Sequence, residues 1–340
     1  VHRKRAGEAA HHEPCGNHHH AAERDLADHE DVAQLNRAPT GGKTAPAAAQ
    51  PANDSLALAA ATAFEAPKLG IKAIAVIVDH GLQDGSVDAA ASAARQAEAL
   101  GLEARVVRVD VTEGAGPEAA ARDARYAALD AQADELGAGA ILLGHTLDDQ
   151  AESVLLGLAR GSGGASLQGM ASVSGRRIRP LLGVRRATTR TCCEASGLTA
   201  WDDPHNLDPR FARVRVRERV LPVLEAELGP GIAEALARTA EQLREDADAF
   251  ERMIDETIED IVEHAEAGIS VSVPALAANP AAIRQRVIRH VVASEFGASL
   301  SRTHTLEIAR LVTDWRGQGP LDVPGCRVRR VGSRIEFTAA

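Results

Sequence analysis

His145, Asp148, Asp149 and Glu152 crowd one short stretch of this chain, and a Gly-rich run, Arg160-Gly161-Ser162-Gly163-Gly164, follows them. Carboxylates at such spacing can hold Mg²⁺ or a substrate ammonium, and a histidine among them can donate to a phosphate or move a proton. The surrounding residues say how the group is presented. Ile141-Leu142-Leu143 is a short apolar run of the kind a buried parallel strand shows. Gly144-His145 breaks it, and Thr146 stands where a helix N-cap would. Asp149 and Glu152 then share one face of the first turns, with Val154, Leu155 and Leu158 continuing an apolar stripe. Polar groups past the carboxyl end of a strand, at a helix start, are where open α/β sheets bind ligands. A helix whose acidic first turn only complements its dipole would carry the same residues.

The rest of the chain supplies the sheet that such a site needs. Leu56 to Phe64 reads as an Ala-rich helix and Ile71 to Val78 as a strand that ends in Asp79-His80-Gly81-Leu82. Val87 to Leu100 is helical with Gly101 as its stop, Ala104 to Val109 a strand, and Pro117 to Leu136 a long helix carrying Arg122 and Arg125. Strands alternating with helices of this length predict an α/β fold with a doubly wound parallel sheet. A further helix spans Gly183 to Leu198 and contains Cys192-Cys193, whose place there suits packing more than metal binding. Beyond Gly229-Pro230-Gly231 come a long acidic amphipathic helix from Ile232, two more helices (Pro280 to Phe296 and Arg302 to Thr313), a small strand near Val271 and a closing strand pair over Arg327 to Phe337. The expected domains are therefore 1–49, atypical and poorly ordered by composition; 50–228, the α/β domain; and 229–340, a smaller and mainly helical domain.

At 340 residues the chain can bury two or three cores, but aromatics are only 2 %, so those cores rest on Ala, Val and Leu. No apolar run approaches a membrane span and no signal-peptide pattern opens the chain, which predicts a cytoplasmic protein. Cys15, Cys192, Cys193 and Cys326 form neither a CxxC pair nor a disulfide framework. The net charge of −10 is unevenly spread. Arg176 to Arg219 holds eleven Arg against five carboxylates, while Glu225 to Glu266 holds fourteen carboxylates against three Arg. The first segment can serve as a phosphate footprint even though the whole chain is acidic. The histidines His11-His12 and His18-His19-His20 lack the spacing of a zinc site. Gly41-Gly42-Lys43-Thr44 fails as a P-loop because Arg37 stands where its first glycine belongs.

The block Gly144-His145-Thr146-Leu147-Asp148-Asp149-Gln150-Ala151-Glu152-Ser153, with the later Leu158-Ala159-Arg160-Gly161-Ser162-Gly163-Gly164 and Ser166-Leu167-Gln168-Gly169-Met170, resembles the signature of the tRNA(Ile)-lysidine synthetase family, a branch of the N-type ATP pyrophosphatases. Val78 to Gln83, Ala120 to Tyr126, Arg179-Pro180-Leu181-Leu182, Trp201 to Asp208 and Arg210 to Arg213 follow the family pattern in order. The resemblance is strong over about 52–245 and weak elsewhere. It implies an N-type pyrophosphatase fold followed by a substrate-binding extension, and a ligase that uses ATP and Mg²⁺. The implied reaction adds free L-lysine to C2 of the wobble cytidine in a CAU-anticodon tRNA(Ile), through an adenylate, with release of pyrophosphate and AMP. By that resemblance Asp54, His145, Asp149, Glu152, Arg122 and Arg125 are catalytic, and Asn53, Asp54, Ser55, Asp79, His80, Arg160 and Gly161 bind the nucleotide. Arg179, Arg213, Arg215 and Arg217 are the expected phosphate contacts to tRNA, Asp54 and Asp149 the expected Mg²⁺ ligands, and Trp201 with Asp202-Asp203-Pro204 the brace of a loop over the site. A homodimer is left open.

One motif departs from the family. Its pyrophosphate loop reads Ser-Gly-Gly-x-Asp-Ser, and the aligned residues are Gln50-Pro51-Ala52-Asn53-Asp54-Ser55. Glycines bring backbone N–H groups close to phosphate, whereas Pro51 has none to offer and Ala52 resists positive φ. Either the loop is degenerate and turnover is weakened, or the residues before about Asn53 do not represent the functional sequence. Two other readings stay open: another tRNA-modifying enzyme of this fold, such as a thiolation enzyme, and a tRNA-binding relative without turnover.

Overall fold

A computed structural model describes residues 44–49, 53–81, 85–109, 117–161, 163–201, 208–265 and 268–339. The described chain forms two compact units, one running to Gln150 and resuming over Ala171–Arg215, the other comprising Ala151–Met170 and Val216–Ala340. The long acidic helix expected to open a second domain near Pro230 belongs to a unit that begins earlier and includes most of the helix after His145.

The first unit is built on a six-stranded sheet of order β3-β2-β1-β4-β6-β5, formed by β1 (Thr44–Ala49), β2 (Lys72–Asp79), β3 (Glu103–Arg108), β4 (Ile141–Leu143), β5 (Val173–Ser174) and β6 (Arg177–Ile178). All pairings are parallel except that of β5 with β6. The Ala- and Pro-rich run Thr44–Ala49, which composition assigns to an atypical segment, is a central strand paired with β2 on one side and β4 on the other. Backbone pairing on both edges makes a strand of residues with little strand propensity of their own.

Helices cover both faces of this sheet, as parallel strands require. β2 is buried over seven of its eight residues and alternates its side chains between the two layers. Ala73, Ala75 and Ile77 pack on Ala90, Ala93 and Ala97 of α2 (Ser86–Ala99) and on Ala59 of α1 (Asn53–Glu65). Val76 and Val78 face Leu129 and Ala133 of α3 (Pro117–Leu136), together with Ile141 and Leu143. Alanine-lined layers let helix and sheet approach closely, which offsets the scarcity of rings. After β4 come α4 (Leu147–Arg160) and α5 (Gly164–Leu167), and after β6 comes α6 (Arg186–Ala195). α6 packs against α1, with Cys193 buried beside Leu56 and Ala57. Burial pushes the Cys193 thiol up to about 11, so it behaves as a packing residue, not a nucleophile.

The second unit holds a five-stranded antiparallel sheet, more strand than its sequence suggested: β7 (Val262–Ala265), β8 (Gly268–Ser272), β9 (Leu321–Val323), β10 (Cys326–Val331) and β11 (Arg334–Ala339), in the order β7-β8-β11-β10-β9. The first unit ends in α7 (Ala212–Arg215), and the helices of the second unit are a π-helical turn over Val216–Val220, α8 (Leu221–Leu228), α9 (Ile232–Ile261), α10 (Val273–Ala278), α11 (Ala281–Phe296) and α12 (Arg302–Thr313). Val328, Ile335 and Phe337 alternate inward to meet Val287, Ile288, Val291, Ile308 and Leu311 of the helices. Here larger side chains fill the core.

Candidate active site

The order of the first sheet decides where a site can form. From β1 the chain moves outward to β2 and β3, then returns to place β4 on the other side of β1. The carboxyl ends of β1 and β4 are therefore the point where the strand order reverses, the place where open α/β sheets bind their ligands. Asp54, in the first turn of α1, follows β1; Gly144-His145-Thr146 and Asp149, in the first turn of α4, follow β4. Gly144 is required by the close approach of these two elements, because a Cβ on it would meet the Asp54 carbonyl oxygen at 3.0 Å and Ser55 Cα at 3.1 Å.

Arg186 joins the two carboxylates. Its Nη2 donates to Asp149 Oδ1 at 2.8 Å and its Nε to Asp54 Oδ2 at 3.3 Å. The other Asp149 oxygen accepts from the Thr146 N–H and Oγ1, both at 2.8 Å, so Asp149 also reaches back to close the start of α4. The other Asp54 oxygen accepts from Thr189 Oγ1, one turn along α6 from Arg186. The Arg186 backbone N–H donates to Asp148 Oδ2 at 2.7 Å, and Arg185 Nη1 lies 3.6 Å from Asp148 Oδ1. The two aspartates respond oppositely to this setting. Burial raises the Asp54 carboxyl above its ordinary value, and the Thr189 bond and Arg186 only partly oppose it. For Asp149 burial acts the same way, but Arg186 and both Thr146 bonds outweigh it and hold the carboxyl low.

His145 is half-buried, and burial pushes its imidazole down to about 4; Asp149 opposes the shift, while Arg179, Arg122 and Arg213 add to it. Its Nδ1 is sealed from solvent without a hydrogen-bond partner. The imidazole is thus neutral at ordinary pH, in surroundings where arginines outnumber carboxylates. Arg122 lies 5.0 Å from the Tyr126 ring on the exposed side of α3, and Arg125 is half-buried with Nε sealed and unpartnered. Burial lowers the Arg125 guanidinium from its ordinary value, and Arg122 adds to the effect.

Asp79 is buried at the end of β2, its Oδ1 accepting from the Gly81 N–H at 2.9 Å, with half-buried His80 beside it. The Asn53 carbonyl accepts from Cys193 Sγ at 3.2 Å, and Ser55 is half-buried. Arg160 is exposed at the end of α4, and Gly161 takes the left-handed conformation that ends it. Gln50 to Ala52, Leu82-Gln83, Ser162, Asp202 to Leu207 and the N-terminal histidines with Cys15 lie outside the described residues, and Trp201 is half-buried.

Three expectations change. Arg179 is buried and donates to the Ala171 carbonyl at 2.8 Å, so it braces a turn and does not face solvent as a phosphate contact would. Arg213, Arg215 and Arg217 alternate in sequence but lie on helical turns, where residues two apart do not share a face. Arg213 faces His145; Arg215 donates to the Pro209 and Arg210 carbonyls at 2.7 Å each. In the second unit Arg217 grips Glu152, with Nε 2.7 Å from Oε1 and Nη2 3.1 Å from Oε2, and the Glu152 side chain is 0 % exposed. The metal expectation also changes. Among the described residues no group of three or more His, Cys, Asp or Glu is set to hold a metal ion, and Arg186 takes the place between Asp54 and Asp149. Those two carboxylates do not fit a resident Mg²⁺. Arg186 and Thr189 went unrecognised in the sequence, since nothing local separates Arg186 from Arg185 or Arg190.

Comparison with known proteins decides what this geometry belongs to. Residues 47–224 match the PP-loop domain family and residues 272–335 the TilS substrate binding domain. A tRNA(Ile)-lysidine synthase of Leifsonia xyli subsp. xyli is 60 % identical over 286 residues, spanning 84 % of this chain and 86 % of that protein. One from Streptomyces coelicolor is 50 % identical over 294 residues, spanning 83 % and 81 %. The chain belongs to the tRNA(Ile)-lysidine synthase family. Among solved structures, a U34-tRNA thiolase from Methanococcus maripaludis superposes with a TM-score of 0.52 at 21 % identity, covering 66 % of this chain and 81 % of that one, which supports the fold alone. Lysidine synthases are enzymes, and the PP-loop domain makes this one a user of ATP. No helix of the described residues is long and apolar enough to cross a membrane.

Proposed function

We propose that the chain is a ligase that joins free L-lysine to C2 of the wobble cytidine in a CAU-anticodon tRNA(Ile). In the first step the C2 oxygen attacks the α-phosphorus of ATP and pyrophosphate leaves. In the second, the lysine ε-amine attacks C2, loses a proton, and AMP departs with the oxygen. The observation that carries this reading is the Asp54–Arg186–Asp149 group at the reversal point of a PP-loop sheet.

Each residue then has a physical task. The N-terminus of α1, with Asn53, Asp54 and Ser55, offers N–H groups and a hydroxyl to phosphate, while Asp79 and His80 lie beside the nucleotide. Arg122 and Arg125 stabilise negative charge as it develops on the leaving group. Asp149 attracts the lysine ammonium, and Glu152, three residues along the same helix, is held ready by Arg217. Neutral His145 accepts a proton or donates to a phosphate oxygen. Arg160 and Gly161, which end α4, are the further residues assigned to the nucleotide, and Arg213 and Arg215 are the arginines of the basic segment assigned to tRNA. Mg²⁺ enters as the counter-ion of ATP, held mainly by its phosphates.

The test is pyrophosphate release from ATP with free lysine and the unmodified tRNA(Ile) transcript, with Asp149→Asn beside it. Multiple-turnover release that needs both lysine and that tRNA, and vanishes in the variant, supports the reading. Repeated turnover without lysine points to another modification, a single lysine-independent equivalent is the adenylation step itself, and no release at all points to a relative that binds tRNA without turnover.

A further inference from the structure

Arg186 stands between two carboxylates that come from different elements, and no role has been assigned to it. Its two contacts use different nitrogens, Nη2 to Asp149 at 2.8 Å and Nε to Asp54 at 3.3 Å. The trio is largely enclosed, with side-chain exposures of 20 % for Arg186, 15 % for Asp54 and 11 % for Asp149. The backbone that carries the guanidinium is itself held, because the Arg186 N–H donates to Asp148 and α6 is anchored on α1 through Cys193. Charged and titratable groups approach from each neighbouring element: Asp54 from α1; His145, Asp148 and Asp149 from the β4–α4 segment; Arg185, Arg186 and Cys193 from α6. Arg185 lies beside Asp148, and Arg186 is a cation that contacts both reacting-site carboxylates.

We propose that Arg186 is a positioning residue of the ligation, its single planar guanidinium spanning Asp54 and Asp149 and fixing their separation and direction at the strand-reversal point. The assignment rests on the reaction put forward above. Two enclosed carboxylates without this bridge repel and turn away from one another. Lysine at this position cannot substitute for it, since one ammonium nitrogen cannot occupy two places set by a rigid fork.

The experiment compares wild type, R186A and R186K in the pyrophosphate-release assay, with and without added guanidinium ion at concentrations too low to denature. The expected result is a kcat in R186A lowered about 100-fold with KM for ATP and for lysine each within about threefold, as orientation effects act on the reacting state. Guanidinium restores about a tenth of the lost rate, methylammonium restores none, and R186K falls between wild type and R186A. R186K equal to wild type, or an R186A defect confined to KM, overturns the assignment. Melting temperature gives a readout that needs no turnover: guanidinium raises that of R186A and leaves that of wild type unchanged. A silent wild type would sink the proposed reaction, while the melting comparison would still decide whether Arg186 bridges the two carboxylates. An R186A melting curve indifferent to guanidinium decides against it.

Discussion

The first unit and the sheet of the second both set arginine against carboxylate, but in opposite surroundings. On the C-terminal sheet the pairs Arg327–Asp322, Arg329–Glu336 and Arg334–Glu263 ride on outward-facing strand positions, where the outward side of β10 alternates with Cys326 and Val328 beneath. Water competes for every one of these charges, so each pair contributes little. At the reversal point of the first sheet, the same residue types are enclosed and every oxygen of Asp54 and Asp149 has a named donor. Burying charge is costly and is retained where it performs a task. Abundance of arginine therefore says little about where this protein works; enclosure says much.

That contrast is broken most severely at Asp149. Asp149→Asn keeps the shape and one donor-accepting oxygen but removes the charge that faces Arg186 and the amine. Pyrophosphate release should fall by about 10³-fold, the scale seen when one preorganised electrostatic group is lost, while the far-ultraviolet circular dichroism spectrum stays that of wild type. Retention of more than a tenth of the rate would place the chemistry elsewhere.

Glu152 tests enclosure in the second unit through stability. Arg217→Met takes a two-point partner from a carboxylate that is 0 % exposed, and urea denaturation should show a loss of about 3–5 kcal/mol. Glu152→Leu combined with Arg217→Met removes both charges and should recover most of that loss. A double variant as unstable as the single one would show that packing around Arg217, not the charge, carries the stability.

His145 sharpens the comparison through pH. Its folded-state value of about 4 lies below the ordinary 6.5, so between these limits the unfolded chain binds a proton that the folded chain refuses. Stability attributable to His145 is therefore complete above 6.5, declines as pH falls through this window and levels off near 4. Going from pH 7 to pH 5, wild type should lose at most about 2 kcal/mol more than His145→Gln. Parallel losses in the two proteins would mean that His145 titrates normally.

The alternation of apolar strands with helices made the first sheet readable, and β2 falls within one residue of its expected span, at Lys72–Asp79. The carboxylates were legible because a strand end, a cap and an acidic first turn are local features. Arg186 was not, since its importance comes from meeting Asp54, far away in sequence, and local pattern carries no trace of a tertiary bridge. The alternation of arginines over 213–219 is uninformative for a related reason: a spacing of two gives one face only on a strand, and these residues are helical. Thr44–Ala49 was hidden by composition, because its strand state is imposed by β2 and β4 on either side. The sheet of the second unit was partly visible, but the short β7 and β9 carry too few residues to show a period.

The smallest effect belongs to the exposed sheet, and it is the one that makes the comparison quantitative. Arg327 Nε lies 2.7 Å from Asp322 Oδ1, as short as the Arg217–Glu152 contact, yet the two side chains are 57 % and 74 % exposed. Distance alone would rank the pairs as equals. Burial ranks them apart, because solvent screens the exposed pair and both ions are nearly as well hydrated when separated. Arg327→Ala, Asp322→Ala and the double variant should therefore melt together with wild type within the error of the measurement, at low and at high salt. A coupling between them as large as that measured for Arg217 and Glu152 would mean that distance, not enclosure, sets the worth of an ion pair in this protein. The distinction drawn between the working carboxylates and the solvated ones would then fail.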